Sequence, residues 1–596
     1  MASSNERLAR LRELMHQRDL AAYLIPSTDE HHSEYVPEGA RRLRWLSGFT
    51  GSAGTILVTA SEAFLWTDGR YHLQATRELD PREFTLMRMG VPGVPELEEV
   101  VCTKLEAGQK VGLDPKLFSI QEFTKLKGRL ELFGIELFPL EENLVDLLWE
   151  KRPSLPEGYI WHLDECFAGM EVVEKLRLVR EELGRWGGGV LVLGALDEIA
   201  WLLNLRGSDV PCNPVFQGYV LLTQEEALLF VETKKLTPEA RRKLSPWVKI
   251  QPYQDMGKFL VKLAGVSGRV MADPANTSQW VKELSQKGAR VIEHPSPVAF
   301  LKAVKNPVER AGMAACHQRD GLAMVRFLRW LEEQVPRARL TETQAARYLD
   351  QLRASLDYYA GPSFETIVAY GPNGAVIHYR PSPETDLELR PKGILLVDSG
   401  AHYLDGTTDV TRTVALGRPT ALEKERFTRV LKGHILLAQM RFPRGTTGKQ
   451  LDALARTYLW EVGLDYRHGT GHGIGCYLNV HEGPQSISPK DTGVPLLEGM
   501  FVTNEPGYYQ EGAFGVRIEN VMMVEKEQEL ETDYGPFLKF KTVTMVPLDR
   551  KLINPRLLNP WERAWVNQYH QEVKKALLAE LEPQEADWLE KATRPL

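Results

Sequence analysis

The chain has 596 residues, of which 43% are hydrophobic and 26% charged, and its formal net charge is −7. That length exceeds what one hydrophobic core supports, so roughly two to four domains are expected. The mild acidity excludes a general attraction to nucleic acid or an anionic membrane, and no run of about 18 apolar residues is present to span one.

In chain order, an amphipathic helix is expected over 7–18, with Leu8, Leu11, Leu14 and Met15 on its apolar face, followed by a strand over 21–25 that stops at Pro26. Two further strands fall at 55–59 and 63–67, and helix–strand alternation continues to about residue 153, an α/β pattern. A second stretch repeats this grammar with a helix over 172–183 and a strand over 190–193. Trp201, Leu202, Gly207 and Ser208 repeat Trp45, Leu46, Gly51 and Ser52 at the same spacing, and residues 220–230 line up with 56–66 after an insertion around Pro211–Pro214. A duplicated domain is the better reading.

From about Lys302 the character changes. Long helices are expected at 307–334, capped by Asn306 with Pro307 at the first helical position, and at 342–356. Strands follow at 366–369, 375–379, 393–399 and 407–415, then helices at 422–441 and 447–462, then a second set of strands. The tail over 559–592 reads as helical with Trp561, Trp565 and Trp588 buried. The expected domains are residues 1–155, 156–301 and 302–596.

The chemistry-bearing residues cluster in the last of these. Asp398 ends the apolar run Gly393-Ile-Leu-Leu-Val, a strand buried on both faces, where a carboxylate needs a partner. Taken alone it serves equally well as a helix cap or in a turn. Gly406 suits a hairpin that returns the chain and sets Asp409 beside Asp398. Glu505 lies where Met500-Phe-Val-Thr meets Pro506-Gly507. Glu519 shares one face of an expected strand over 515–524 with Arg517 and Val521, which marks a site or a buried Arg517–Glu519 salt bridge. In His468-Gly-Thr-Gly-His472-Gly the glycines allow close backbone approach to a ligand. One histidine with four carboxylates is a mainly hard-oxygen donor set. It favours manganese, or cobalt or zinc by occupancy, and suits two ions roughly 3.5–4 Å apart.

With Asp398-Ser-Gly-Ala, Asp405-Gly-Thr-Thr-Asp-Val-Thr-Arg-Thr, His468-Gly-Thr-Gly-His-Gly, Val480-His-Glu-Gly-Pro, Glu505-Pro-Gly-Tyr-Tyr and Gly515-Val-Arg-Ile-Glu-Asn-Val in place, the chain resembles the aminopeptidase P branch of the pita-bread metallopeptidases. Trp66-Thr-Asp-Gly-Arg-Tyr and Leu196-Asp-Glu-Ile-Ala-Trp-Leu extend the likeness over nearly the whole length, to the three-domain form. The resemblance implies an α/β (α+β) architecture: two related creatinase-like, ribonuclease-H-like domains, then a pita-bread catalytic domain. It implies two divalent metal ions, with Asp398 on one, Asp409 and Glu519 bridging, and His472 with Glu505 on the other.

It further implies His378 and His481 as peptide-contacting residues, His468 as another active-site histidine, and Arg70 as a substrate contact from the front domain. The implied reaction is hydrolysis of the N-terminal Xaa-Pro bond of peptides. Prolidase, restricted to dipeptides, shares the ligands and is the alternative; a non-catalytic binding relative is a more distant one. No nucleic-acid or membrane partner is expected, and a homodimer joined through the catalytic segment is. Five scattered cysteines without C-x-x-C spacing and a leading segment without an apolar signal core point to the cytoplasm.

Overall fold

The computed structural model describes residues 3–530 and 532–596; Met1, Ala2 and Glu531 lie outside the described residues. The chain divides into two units, one made of the residues through Leu163 with Met170–Ala299, the other of Asp164–Gly169 with Phe300–Leu596.

The first unit opens with helix α1 (Ser4–Gln17), set by a capping box between Ser3 and Glu6, and it buries Leu8, Leu11 and Met15. Strands β1 (Ala22–Pro26), β2 (Thr55–Thr59), β3 (Ala63–Thr67), β4 (Thr85–Arg88), β5 (Lys110–Leu113) and β6 (Glu136–Pro139) form a sheet in the order β4-β3-β2-β1-β5-β6. Strand β1 explains why its sequence is apolar without alternation. Tyr23 and Ile25 enter the core on one face, Ala22 and Leu24 that on the other.

After α2 (Val172–Arg185) comes a second sheet of β7 (Val190–Leu193), β8 (Tyr219–Leu222), β9 (Ala227–Val231), β10 (Lys249–Pro252), β11 (Arg269–Ala272) and β12 (Arg290–Glu293), ordered β10-β9-β8-β7-β11-β12. In both sheets the three strands of the meander pair antiparallel and the remaining pairs run parallel. Identical order and direction make these two related α/β domains.

In the second unit α3 (Pro307–Gln334) starts at an Asn306–Glu309 capping box with Pro307 in its first turn, and α4 (Glu342–Ala354) follows. Strands β13 (Ile367–Tyr370), β14 (Ile394–Ser399) and β15 (Val410–Ala415) pair antiparallel with β14 central. No strand forms over 375–379. The run Gly371-Pro-Asn-Gly makes a 3-10 turn instead, tied to α4 because the Asn373 amide and the Tyr379 hydroxyl both donate to Glu342.

Helix α5 (Ala421–Ala438), strand β16 (Arg441–Pro443) and helix α6 (Gly448–Trp460) lead into β17 (Gly471–Gly473), β18 (Glu482–Ile487), β19 (Phe501–Asn504), the hairpin β20 (Gly507–Gln510) and β21 (Phe514–Arg517), β22 (Asn520–Lys526) and β23 (Phe537–Thr542). Their main sheet runs β16-β23-β22-β19-β17-β18. The single strand expected over 515–524 is therefore two strands in different sheets, broken at Ile518 and Glu519.

The tail is two helices, α7 (Pro560–Leu577) and α8 (Pro583–Ala592), separated where Pro583 begins a new first turn. Its tryptophans are not buried as expected. Trp561, second in α7, is 42% exposed, while Trp565 and Trp588 are half-buried, the first stacked on Tyr569 and the second donating to Glu332. Among the described residues no helix is long and apolar enough to cross a membrane.

Candidate metal centre

Four strand ends and one short strand carry the four acidic side chains and the histidine. Asp398 is the penultimate residue of β14, opposite Thr411 in β15, and Asp409 immediately precedes β15 after the Ala401–Tyr403/Gly406–Thr407 hairpin. Glu505 follows β19, Glu519 precedes β22, and these two strands pair with Asn504 opposite Asn520. His472 lies in β17, which pairs with β19. Two backbone hydrogen bonds lock the ends together: Glu519 N–H to the Thr411 carbonyl at 3.1 Å, and Glu505 N–H to the Thr470 carbonyl at 2.7 Å.

The side chains then meet. His472 Nε2 is 3.6 Å from Asp409 Oδ2 and 3.5 Å from Glu505 Oε1. One donor atom each from Asp409, His472 and Glu519 falls within 4.8 Å of the others. Thr411 Oγ1 donates to Glu519 Oε2 at 2.7 Å, and the Arg517 guanidinium donates to Asp398 Oδ2. Of the two readings left open, the salt bridge to Glu519 does not form: Arg517 pairs with Asp398, and the break at Ile518 leaves Glu519 beside Asp409.

Three of these carboxylates are buried, Asp398, Asp409 and Glu519 at 8%, 3% and 2% exposed, and Glu505 is half-buried. Burial, then Glu519, Asp398 and Glu505 in turn, drives the Asp409 carboxyl well above its usual range; burial, then Glu505 and Asp398, does the same to Glu519. Burial opposes the Arg517 charge, but Tyr509, Asp398 and Glu505 together hold that guanidinium above its ordinary value. Asp398 Oδ1 and Asp409 Oδ1 are buried with no hydrogen-bond partner. Four neighbouring carboxylates, two of them with unsatisfied buried oxygens, offer the oxygen donors and uncompensated negative charge that hard cations bind, so the residues fit divalent metals.

Gly471 and Gly473 of the histidine loop have a task within the sheet. A Cβ on Gly471 would lie 1.9 Å from the Thr503 carbonyl oxygen, and one on Gly473 would lie 2.1 Å from that of Glu482. They let β17 squeeze between its neighbours in the sheet, which is how His472 reaches the carboxylates.

The remaining sequence candidates divide. The His481 ring packs on His472 with centroids 4.4 Å apart, edge on. His468 Nε2 is 2.8 Å from the Tyr509 hydroxyl, and its Nδ1 is 3.8 Å from Glu505 Oε2. His378 is half-buried in a turn, and the carbonyl of its neighbour Ile377 accepts from Arg517 at 3.4 Å. Arg70 belongs to the first unit, where its guanidinium is bidentate on Asp68 and 3.4 Å from Glu34. Sequence reasoning missed Thr411 and Tyr509. Tyr509 receives Arg517 Nη1 at 2.8 Å, and burial pushes its hydroxyl up to about 12. Only their places inside the acidic motifs could have marked them.

Comparison with known proteins accords with this geometry. Residues 311–526 match metallopeptidase family M24 and 536–596 the C-terminal region of that family, while 7–147 and 151–309 each match a creatinase/prolidase N-terminal domain. A protein of Neosartorya fischeri described as a probable Xaa-Pro aminopeptidase P is 44% identical over all of this chain and 93% of its own length; one of Coprinopsis cinerea with the same description is 42% identical over all of this chain and 98% of its own. The crystal structure of an X-prolyl aminopeptidase from Caenorhabditis elegans, described as a cytosolic enzyme with a di-nuclear active site, is 38% identical with a TM-score of 0.96 and full coverage of both chains. A Xaa-Pro dipeptidase from Bacillus anthracis, 23% identical with a TM-score of 0.51, covers 64% of this chain and 99% of its own, and shares the fold alone. The chain belongs to the Xaa-Pro aminopeptidase P group of metallopeptidase family M24, with two creatinase-type α/β domains ahead of a pita-bread domain.

Proposed function

We propose that the protein is a metallo-aminopeptidase that releases the first residue from peptides whose second residue is proline. The observation that carries this reading is the meeting of Asp409, His472 and Glu519, with Glu505 3.5 Å from His472 and unsatisfied buried oxygens on Asp398 and Asp409, in a chain so similar to Xaa-Pro aminopeptidases over its full length. Asp398, Asp409, His472, Glu505 and Glu519 would hold two divalent cations. Manganese fits the oxygen-rich set. When bound, the ions supply Lewis acidity for the scissile carbonyl and lower the pKa of an attacking water.

The chain's own groups do the rest. His481, which packs on His472, and His378, whose neighbour Ile377 accepts from Arg517, would hydrogen-bond the peptide around its first carbonyl. His468, on the Tyr509 hydroxyl, is a further candidate for moving a proton. Arg70 is the weakest assignment, since Asp68 and Glu34 already occupy its guanidinium. An X-Pro bond is a tertiary amide without an N–H, so peptidases that grip that N–H handle it poorly and a dedicated pocket has a task. We place the enzyme in the cytoplasm, in keeping with the description of the worm relative, and as a homodimer.

The test pairs metal analysis with turnover. Wild-type protein should carry manganese, or take it up, and release Arg from Arg-Pro-Pro in preference to cleaving Gly-Pro. Asp409→Ala should lose both metal and activity. Full turnover by Asp409→Ala at saturating manganese would remove Asp409 from the site and the two-metal reading with it.

A further inference from the structure

Behind the histidine loop lies a buried charged pair that no comparison assigns. Asp452 and Arg456, four residues apart on one face of α6, are 4% and 2% exposed. The Arg456 guanidinium uses every N–H it has. Nε and Nη2 grip the Asp452 carboxylate at 2.7 and 3.2 Å, Nη2 also donates to the His468 carbonyl at 2.8 Å, and Nη1 donates to the Tyr466 carbonyl at 2.7 Å and to Asp465 at 2.8 Å. It lies 3.9 Å over the Tyr466 ring. The second oxygen of the pair works too, because Asp452 Oδ1 accepts from Thr470 Oγ1 at 2.6 Å. The Thr470 carbonyl in turn receives the Glu505 N–H.

A purely structural ion pair would need only Asp452. Here three of the five guanidinium donors leave the helix for residues 465–468, and the carboxylate catches Thr470. The loop is thereby fastened to a rigid element at both ends of the run that leads into His472. Through the Thr470 carbonyl the same fastening fixes the backbone from which Glu505 projects. A planar, always-charged fork can do this and a lysine cannot, because a single ammonium does not reach an aspartate on one side and three loop acceptors on the other.

We propose that Arg456, with Asp452 and Thr470, is a positioning residue that holds His472 and Glu505 at metal-binding separation. This inference rests on the two-metal reading above. The outer partners of metal ligands generally govern affinity by about 10–100-fold, so the effect should be visible in metal binding itself.

The experiment titrates manganese into the metal-free full-length protein by calorimetry and measures kcat and KM for Arg-Pro-Pro after loading. It compares wild type, Arg456→Lys, Thr470→Val and Thr470→Ser. Arg456→Lys and Thr470→Val should bind manganese about 10–100-fold more weakly and lose kcat in the same range, with KM for the peptide little changed. Thr470→Ser keeps the hydroxyl and should behave as wild type. Should Arg456→Lys fail to fold, the valine–serine pair decides alone. Manganese affinity and kcat equal to wild type in Thr470→Val, or a lowered melting temperature as its sole defect, would overturn the proposal. Absence of manganese binding by the wild type would instead strike the functional reading, and the positioning role with it.

Discussion

At the scale of single residues, the site turns on Arg517, a buried guanidinium that donates to Asp398. It touches Asp398, Tyr509 Oη at 2.8 Å, Thr411 Oγ1 at 3.2 Å and the Ile377 carbonyl at 3.4 Å. Tyr509 passes the connection on to His468 at 2.8 Å. A continuous polar path therefore runs from the Asp398 carboxylate to His468, and it needs a donor that branches. Arg517→Lys keeps the charge but loses the fork, so turnover of Arg-Pro-Pro should fall by about tenfold or more while the protein stays folded. Steady-state kinetics with circular dichroism checks this, and unaltered kcat would show that the path is idle. The sequence displayed Arg517 as a charge in an apolar strand and left open whether its face held a site or an Arg517–Glu519 salt bridge. Residues two apart on a regular strand share a face, and nothing local announces that this strand breaks between them.

At the scale of elements, a helix start encoded within one turn was legible, and a segment shaped by a distant side chain was not. The N-terminus of α3 is encoded by Asn306, Pro307 and Glu309 within one turn, and it forms as expected. The segment 371–387, which carries His378, takes its shape from elsewhere. Glu342, the first residue of α4, is fully buried and accepts from Tyr370 N–H at 2.6 Å, Asn373 Nδ2 at 3.0 Å, Tyr379 Oη at 2.8 Å and Leu387 N–H at 3.0 Å. An apolar-looking stretch such as 375–379 then forms no ladder, because its neighbours' polar groups converge on one carboxylate. Glu342→Gln presents two donors where the fold offers only donors. It should cost about 2–4 kcal/mol, given roughly 1.5–3 kcal/mol for a hydrogen bond to a charged group. Urea unfolding followed in the catalytic unit measures this, and the same variant should raise KM for Arg-Pro-Pro by loosening His378. A variant as stable as wild type would mean the carboxylate is not what holds the segment.

At the scale of the whole molecule, the duplication was legible because the matching residues 56–66 and 220–230 contain equivalent meander strands in two sheets of the same order. Self-association was not legible in this way, and light scattering should return about twice the chain mass of 67.5 kDa if the dimer forms. The catalytic unit also carries an acid sensitivity unrelated to its metals. Burial lowers His317 to about 4, His434 to about 3 and His570 to about 4, and each has a buried ring nitrogen without a partner. Their folded pKa values lie below the unfolded value of 6.5, so the unfolded chain takes up protons first as the pH drops. The stability from burying neutral rings is complete above pH 6.5 and is lost as pH falls toward 4, at up to about 1.4 kcal/mol per pH unit for each histidine. Asp409 and Glu519 shift the opposite way in the metal-free protein, since a raised carboxyl pKa favours the fold as acid is added. A difference between two proteins with the same carboxylates cancels that effect. His570 Nε2 accepts the Leu548 N–H at 3.1 Å, and a glutamine oxygen can take over that bond without gaining a charge. His570→Gln should be about 1 kcal/mol less stable than wild type at pH 8, and the deficit should shrink and then reverse between pH 6.5 and 4. Denaturant unfolding at pH 8, 6 and 5 follows the gap, and a gap independent of pH would mean that His570 does not titrate against the fold.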